Sequence, residues 1–272
     1  MRVRSLLFVP GSRLELLAKV PRWSPDVVVV DLEDAVAPAG KADARRAVAA
    51  AELAVPGTTV LVRVNAAGAP EHDDDVAAAL AGGAAGVVLP KAEDVDGVAA
   101  LAARLGGVAL FLGIETALGI SRARPLLAAG VTGAYFGSED FLADMGGRRT
   151  AAGTEVLYAR SEVVLAGRLA GVPVVDQAVV AVDDDAAFRA DADQGRALGY
   201  AGKICIHPRQ VALAHAAFTP SDAEVAAARR VLSAGAGGVA VVDGLMVDAV
   251  HLRLARQVIE RAGERVAADG EP

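Results

Sequence analysis

Apolar positions fall into two alternating patterns along the chain. Short apolar runs occupy residues 4–9, 27–32, 60–65, 86–90, 109–115, 133–138, 173–177 and 202–207. Runs of this kind suit strands buried on both faces, as in a parallel sheet. Between them lie Ala-rich segments with helical spacing at 41–51, 73–80, 95–105, 121–129, 154–170 and 184–198. Strands alternating with helices imply βαβ units. Repeated over eight strands, the pattern predicts an α/β fold closed as a (β/α)8 TIM barrel, with an open doubly wound sheet as the alternative. Gly130, Gly171 and Gly199 follow apolar helical segments, where a left-handed residue ends a helix.

The pattern continues past the eighth strand. Two further helical stretches, 221–233 and 246–262, are separated by Gly-rich residues 235–238 and a short apolar run at 239–242. Ser221-Asp222-Ala223-Glu224 has the spacing of a capping box. The predicted division is therefore a barrel over 1–220 and a C-terminal helical extension over 221–272. An extension that small cannot bury its own core, so it is expected to pack on the barrel or on a neighbouring subunit. Residues 269–272 read as a frayed end.

Length agrees with this picture. The chain has 272 residues, and one (β/α)8 domain commonly uses about 250. A net charge of -7 offers no electrostatic case for nucleic acid. Cys205 is the only cysteine and lies in an apolar run, which predicts a buried core thiol and no internal disulfide. The N-terminal run is too short for a signal peptide and meets Pro10-Gly11. No stretch approaches the roughly 18 uninterrupted apolar residues of a membrane span. The expectation is a cytoplasmic protein.

In such barrels the chemistry sits at the C-terminal ends of the strands. The first strand ends in Pro10-Gly11-Ser12-Arg13 and the second in Asp31-Leu32-Glu33-Asp34-Ala35. The next two deliver Arg63-Val64-Asn65 and Pro90-Lys91-Ala92-Glu93-Asp94. The fifth and sixth deliver Glu115-Thr116 and Ser138-Glu139-Asp140. The last two carry Asp176, then Lys203 and His207-Pro208. Nearly every strand thus offers a polar group to one rim. Glu115 and Asp140, from neighbouring strands, can seat a hard divalent cation such as Mg2+. Arg63, between Val62 and Val64, is either an anchor for a ligand carboxylate or half of an ion pair with Asp31 or Glu33. Asp94 and the Asp183–Asp185 run can cap helices. Lys91 has the chemistry of a Schiff-base lysine, with nothing nearby to support it. His207 reads as a turn residue, and His72, His215 and His251 lack partners at metal-ligand spacing.

These motifs, in this order, resemble the citrate lyase β-subunit-like proteins of the HpcH/HpaI aldolase/citrate lyase superfamily, which include malyl-CoA and citramalyl-CoA lyases. The resemblance runs through Leu7-Phe8-Val9-Pro10-Gly11, Asp31-Leu32-Glu33-Asp34-Ala35-Val36, Arg63-Val64-Asn65, Leu89-Pro90-Lys91, Ile114-Glu115-Thr116 and Gly137-Ser138-Glu139-Asp140. It continues through Lys203-Ile204-Cys205-Ile206-His207-Pro208 to Asp243-Gly244-Leu245-Met246-Val247-Asp248, essentially the full length.

The resemblance implies a Mg2+-dependent (or Mn2+-dependent) carbon–carbon lyase acting on acyl-CoA thioesters, with acetyl-CoA and a 2-oxo acid as the second pair of reactants. It assigns Glu115 and Asp140 to the metal. It gives Arg63 the substrate's carboxylate or carbonyl oxygen, and Glu33 and Asp34 the polar shell around metal-bound water. Backbone N–H groups around Gly137, Ser138, Glu139 and Asp140 would clasp the 2-oxo acid. Asp248 matches an acid that family members insert into a neighbouring subunit's site, and a homotrimer is implied. Arg13, with Lys19, matches the region near the CoA phosphates. Many relatives have Pro after the final Asp, where this chain has Ala249. No His lies near Glu33-Asp34-Ala35, unlike the pyruvate-aldolase branch, which favours the CoA branch. Two alternatives stand beside it: a class II aldolase on free 2-oxo-4-hydroxy acids, and a β-subunit-like component of a carrier-protein-dependent citrate lyase complex.

Overall fold

A computed structural model describes residues 2–234 and 239–263. The Gly-rich stretch 235–238 and residues 269–272, expected to fray, lie outside the described residues. Eight parallel strands close into a barrel in sequence order. They are β1 (Ser5–Pro10), β2 (Val27–Asp31), β3 (Thr59–Arg63), β4 (Gly86–Leu89), β5 (Ala109–Ile114), β6 (Gly133–Phe136), β7 (Val174–Asp176) and β8 (Gly202–Cys205). Each lies where an apolar run was read, and β1 pairs with both β2 and β8, which closes the sheet.

The helices are α1 (Lys41–Ala50), α2 (His72–Ala81), α3 (Val95–Leu105), α4 (Ala117–Ser121), α5 (Ala123–Leu127), α6 (Ser138–Met145), α7 (Leu157–Ala170), α8 (Asp185–Leu198) and α9 (Arg209–Phe218). The apolar spacing at 121–129 belongs to two short helices. Thr116 opens α4 by accepting from Gly119 N, and the non-helical backbone of Arg122 separates α4 from α5. Helices α6 and α9, which the spacing alone did not single out, follow directly on β6 and β8. Asp94 and Asp184 cap α3 and α8, the bland role open to them. Gly171 and Gly199 end α7 and α8 with φ of 72° and 106°. Gly130 is also left-handed but lies beyond Ala128, the residue that ends α5.

Strand parity decides which side chains enter the barrel. Leu6, Val29, Leu61, Val88, Phe111, Tyr135, Val175 and Ile204, one from each strand, form a single buried cluster. Asp31 and Arg63 are partners in the β2–β3 register and lie two residues beyond Val29 and Leu61, on the same side. Asp176 and Lys203 have the opposite parity. The rim position expected for these two is therefore corrected: they point out of the barrel. There, Arg160 of α7 donates to Asp176 at 2.8 and 2.6 Å, and Lys203 Nζ donates to Asp176 at 2.8 Å and to Asp191 of α8. Cys205 is fully buried, and burial pushes its thiol up to about 12.

The described chain forms two compact units, Met1–His215 and Ala216–Pro272. In the second, α10 (Asp222–Ala234) and α11 (Ala249–Arg261) bury Val225, Ala228, Ala255 and Ile259. The capping box at Ser221 is present, with Glu224 accepting from Ser221 N at 2.8 Å. Between the helices stand β9 (Ala240–Val242) and β10 (Leu245–Val247), an antiparallel hairpin. This corrects the helix expected from residue 246. Asp243 and Gly244 both have positive φ (50° and 79°), the backbone of a tight two-residue turn. The helix starts only at Ala249, after Asp248 caps it.

Candidate active site

The ends of β1, β2, β3, β5, β6 and β8 surround a cleft of about 390 Å³ in the first unit. Its floor is apolar, with Phe8, Tyr135 and Ile204, and its wall is charged, with Asp31, Asp34, Arg63, Glu115, Glu139 and Asp140.

Asp31 organises one side. Its carboxylate accepts from Arg63 Nε at 2.7 Å and Nη2 at 2.6 Å. The same carboxylate accepts from Glu33 N and Ala35 N at 2.9 and 3.0 Å, which fixes the turn after β2. The ion-pair reading of Arg63 is therefore present, and it orients the guanidinium rather than hiding it. Nη1, the remaining corner, lies 3.5 Å from the Tyr135 hydroxyl and 3.2 Å from Glu33 Oε2. The group sits 5.0 Å above the Phe8 ring. Burial opposes the Arg63 charge, but Tyr135, Asp31 and Glu33 together raise its pKa.

Glu33 is buried, and burial raises its pKa. Its Oε1 accepts from Lys91 Nζ at 2.6 Å, and its Oε2 accepts no hydrogen bond. Lys41 braces the turn from behind by donating to Leu32 O and Glu33 O. Asp34 is half exposed and pairs with Lys91 at 3.2 Å.

Glu115 stands just past the end of β5 and is 1% exposed. Its Oε1 accepts from Lys91 N at 2.8 Å and from the Tyr135 hydroxyl at 3.3 Å. Two glycines make room for this. A methyl at Gly113 would strike the Tyr135 hydroxyl, and one at Gly137 would strike the Glu115 carboxylate. Asp140 sits in the first turn of α6, with Lys91 Nζ at 3.5 Å. Ser138 and Glu139 line the same edge, where both side chains accept from Arg149.

Arg13 and Asp248 were also expected to serve the site. Arg13 is exposed, pairs with Glu15 in a run of 3-10 turns at Gly11–Arg22, and does not line the cleft. Asp248 belongs to the second unit, where its carboxylate accepts from Val250 N and His251 N. The His251 hydrogen bond is the main reason its pKa is lowered. Phe8 and Tyr135 line the cleft, and Lys91 stands among its acids. Phe8 and Tyr135 carry an apolar strand pattern that looks like core, and Lys91 was weighed only as a nucleophile.

The donors fit a hard divalent cation. Burial above all, then the charges of Asp140 and Glu33, push Glu115 up to about 7. A buried carboxylate beside Asp140 and Glu33 keeps a raised pKa even with the Arg63 charge nearby, so the site can take up further positive charge. Among the described residues no set of three or more His, Cys, Asp or Glu could hold a metal. Mg2+ requires only one or two carboxylates, because it keeps several of its waters.

This raised value has a direct consequence. Glu115 titrates higher folded than its ordinary 4.5. Its contribution to stability is fully present below that ordinary value and is lost as pH rises through about 7. In chelator, the melting temperature of the protein is expected to fall relative to Glu115→Gln between about pH 5 and 8. Parallel melting profiles of the two proteins across that range would show that Glu115 is not held protonated.

Comparisons with known proteins agree on one family. The sequence profile of the HpcH/HpaI aldolase/citrate lyase family matches residues 4–208, and that of a C–C bond lyase of the TIM-barrel fold matches residues 170–264. A citrate lyase subunit beta-like protein of Deinococcus radiodurans is 46% identical over 94% of this chain and 96% of its own. A (3S)-malyl-CoA thioesterase of Cereibacter sphaeroides is 36% identical over 98% of this chain and 96% of its own. The crystal structure of CitE from Mycobacterium tuberculosis, in complex with magnesium, acetoacetate and coenzyme A, is 33% identical. It superposes with a TM-score of 0.86, covering 97% of this chain and 99% of that one.

Proposed function

This chain belongs to the HpcH/HpaI aldolase/citrate lyase family, and from that premise we propose that it is a Mg2+-dependent lyase/synthase for a 3-hydroxyacyl-CoA thioester of the malyl-CoA or citramalyl-CoA type. The observation that carries this reading is the buried Glu115 carboxylate, in one cleft with Asp140 and with the oriented fork of Arg63. The CitE structures that contain magnesium with coenzyme A, or with oxaloacetate, support it.

In this reading Glu115 and Asp140 hold Mg2+, or Mn2+ in its place. An ion held there would lower the pKa of the substrate hydroxyl and stabilise the carbonyl of the emerging 2-oxo acid. The carbon–carbon bond breaks between the hydroxyl-bearing carbon and the α-carbon of the thioester. The hydroxyl gives up its proton, through the water that Glu33 and Asp34 order, to one of those two carboxylates, and the electron pair of the broken bond passes into the thioester as an enolate. Arg63 Nη1 faces the cleft wall and stabilises that developing oxyanion. Asp31 keeps the guanidinium from turning away. The first N–H groups of α6, at Ser138 to Asp140, have no acceptor within their own helix and hold the 2-oxo acid carboxylate. Glu33 and Asp34 order water beside the ion. Asp248 of a neighbouring subunit delivers the proton that turns the enolate into acetyl-CoA, and Arg13 with Lys19 meets the CoA phosphates. The assembly is a homotrimer acting in the cytoplasm. Exposed apolar side chains on the hairpin of the second unit, Val241, Leu245 and Met246, support burial of that hairpin against another subunit.

A second reading is hydrolysis of the thioester, favoured by the malyl-CoA thioesterase relatives at 34–36% identity. The test is a panel of malyl-, citramalyl- and methylmalyl-CoA with and without Mg2+. Release of acetyl-CoA with glyoxylate from malyl-CoA or with pyruvate from citramalyl-CoA, or of propionyl-CoA with glyoxylate from methylmalyl-CoA, is expected. Malate with free CoA would establish the thioesterase instead. Turnover of free 2-oxo-4-hydroxy acids without CoA would establish an aldolase, and activity only on a protein-borne acyl group would establish a citrate lyase subunit.

A further inference from the structure

Lys91 lies at the convergence of the acids in this cleft. Its Nζ is 2.6 Å from Glu33, 3.2 Å from Asp34 and 3.5 Å from Asp140. Its own main-chain N–H donates to Glu115 Oε1 at 2.8 Å. One residue therefore addresses both carboxylates read as metal ligands, one through the backbone and the other through the side chain. Its φ is 48°, in the left-handed region where glycine is the unstrained choice. A lysine held there adds a second cation to the site, beside Asp34 and Asp140, while Arg63 pairs with Asp31 and Glu33.

We propose that Lys91 is a resident counter-cation of the metal site. Its ammonium neutralises Asp140 together with Glu33 and Asp34 in the metal-free protein, and releases Asp140 when the divalent cation enters. This rests on the reading of Glu115 and Asp140 as metal ligands. The distances indicate the order of release. Asp140 is the farthest of the three anions from Nζ, so Lys91 keeps Glu33 and Asp34 and yields Asp140. A cationic ammonium and a divalent ion compete for the same oxygen, so Lys91 weakens metal binding while it stabilises the empty site. It also explains why Lys91 is no Schiff-base nucleophile: an ammonium paired with Glu33 has no free lone pair.

The experiment is calorimetric titration of Mg2+ into the metal-free full-length protein, for wild type and for Lys91→Met, Lys91→Gly and Lys91→Arg. Lys91→Gly suits the backbone conformation and keeps the N–H that serves Glu115, so it separates charge from folding. Both neutral variants are expected to bind Mg2+ at least tenfold more tightly than wild type. They are also expected to melt lower in chelator and to gain more from added Mg2+. Lys91→Arg, which keeps the cation, is expected to retain wild-type affinity. Unchanged or weaker Mg2+ binding in either neutral variant overturns the proposal, as does equal tightening in Lys91→Arg. If wild type itself takes up no Mg2+, the metal-ligand reading falls first and the proposal with it.

Discussion

Glu115→Gln and Asp140→Asn are each expected to reduce Mg2+-dependent kcat/KM by about three orders of magnitude, and the Ala variants to abolish it. In the proposed reading each change removes one of two anionic donors, and the lost Lewis-acid stabilisation is several kcal/mol, at about 1.4 kcal/mol per tenfold. The Glu115 variant carries a second signature. At pH 8 the wild-type carboxylate is ionised in a site that pushes it up to about 7 from 4.5, which costs roughly 3 kcal/mol in the metal-free protein. The amide escapes that cost. Metal-free Glu115→Gln should therefore melt above wild type at pH 8 while failing to turn over. Steady-state kinetics beside thermal melts in chelator check both halves. Wild-type turnover in excess chelator would remove the metal assignment.

The second large effect belongs to stability. Arg160, Asp176 and Lys203 are 1%, 0% and 0% exposed and share their charges beneath α7 and α8. Asp176→Ala leaves two buried cations sharing Asp191, and losing a partner from a buried ion network costs about 3–5 kcal/mol. A fall in melting temperature on the order of 10 °C is expected, and Asp176→Asn, which keeps the shape, should lose nearly as much. Circular dichroism melts measure it. A shift of only a degree or two for both variants would mean that the network is not a determinant of folding.

The same pair shows where sequence reasoning stops. Asp176 ends β7 and Lys203 lies within β8, and both read as rim residues like the others. Their parity relative to Val175 and Ile204 sends them outward, and parity is visible only once the strand that pairs with each is known. The expectation for residue 246 failed for a related reason. Met246 and Val247 fit a helical spacing, but the Asp-Gly pair before them makes a two-residue turn, and the backbone there is spent on a hairpin. The place of Lys91 is hidden in the sequence because its neighbours there, Pro90 and Ala92, say nothing of the acids that surround it. Those acids arrive from β2 and from α6, between 49 and 58 residues away.

Sequence alone determined the eight-strand barrel, because short runs of branched apolar residues alternating with Ala-rich helical stretches have few other ways to bury both faces of a sheet. It also determined that Glu115 and Asp140 share a rim, because strand ends in a parallel barrel all point one way. Only the tertiary structure decided the electrostatics of that rim. Whether Arg63 is free or clamped, whether Glu115 titrates as an ordinary acid, and which cation stands beside Asp140 all depend on distances between residues remote in the chain. Charge interactions are set by separation and burial in space, which residue order does not encode.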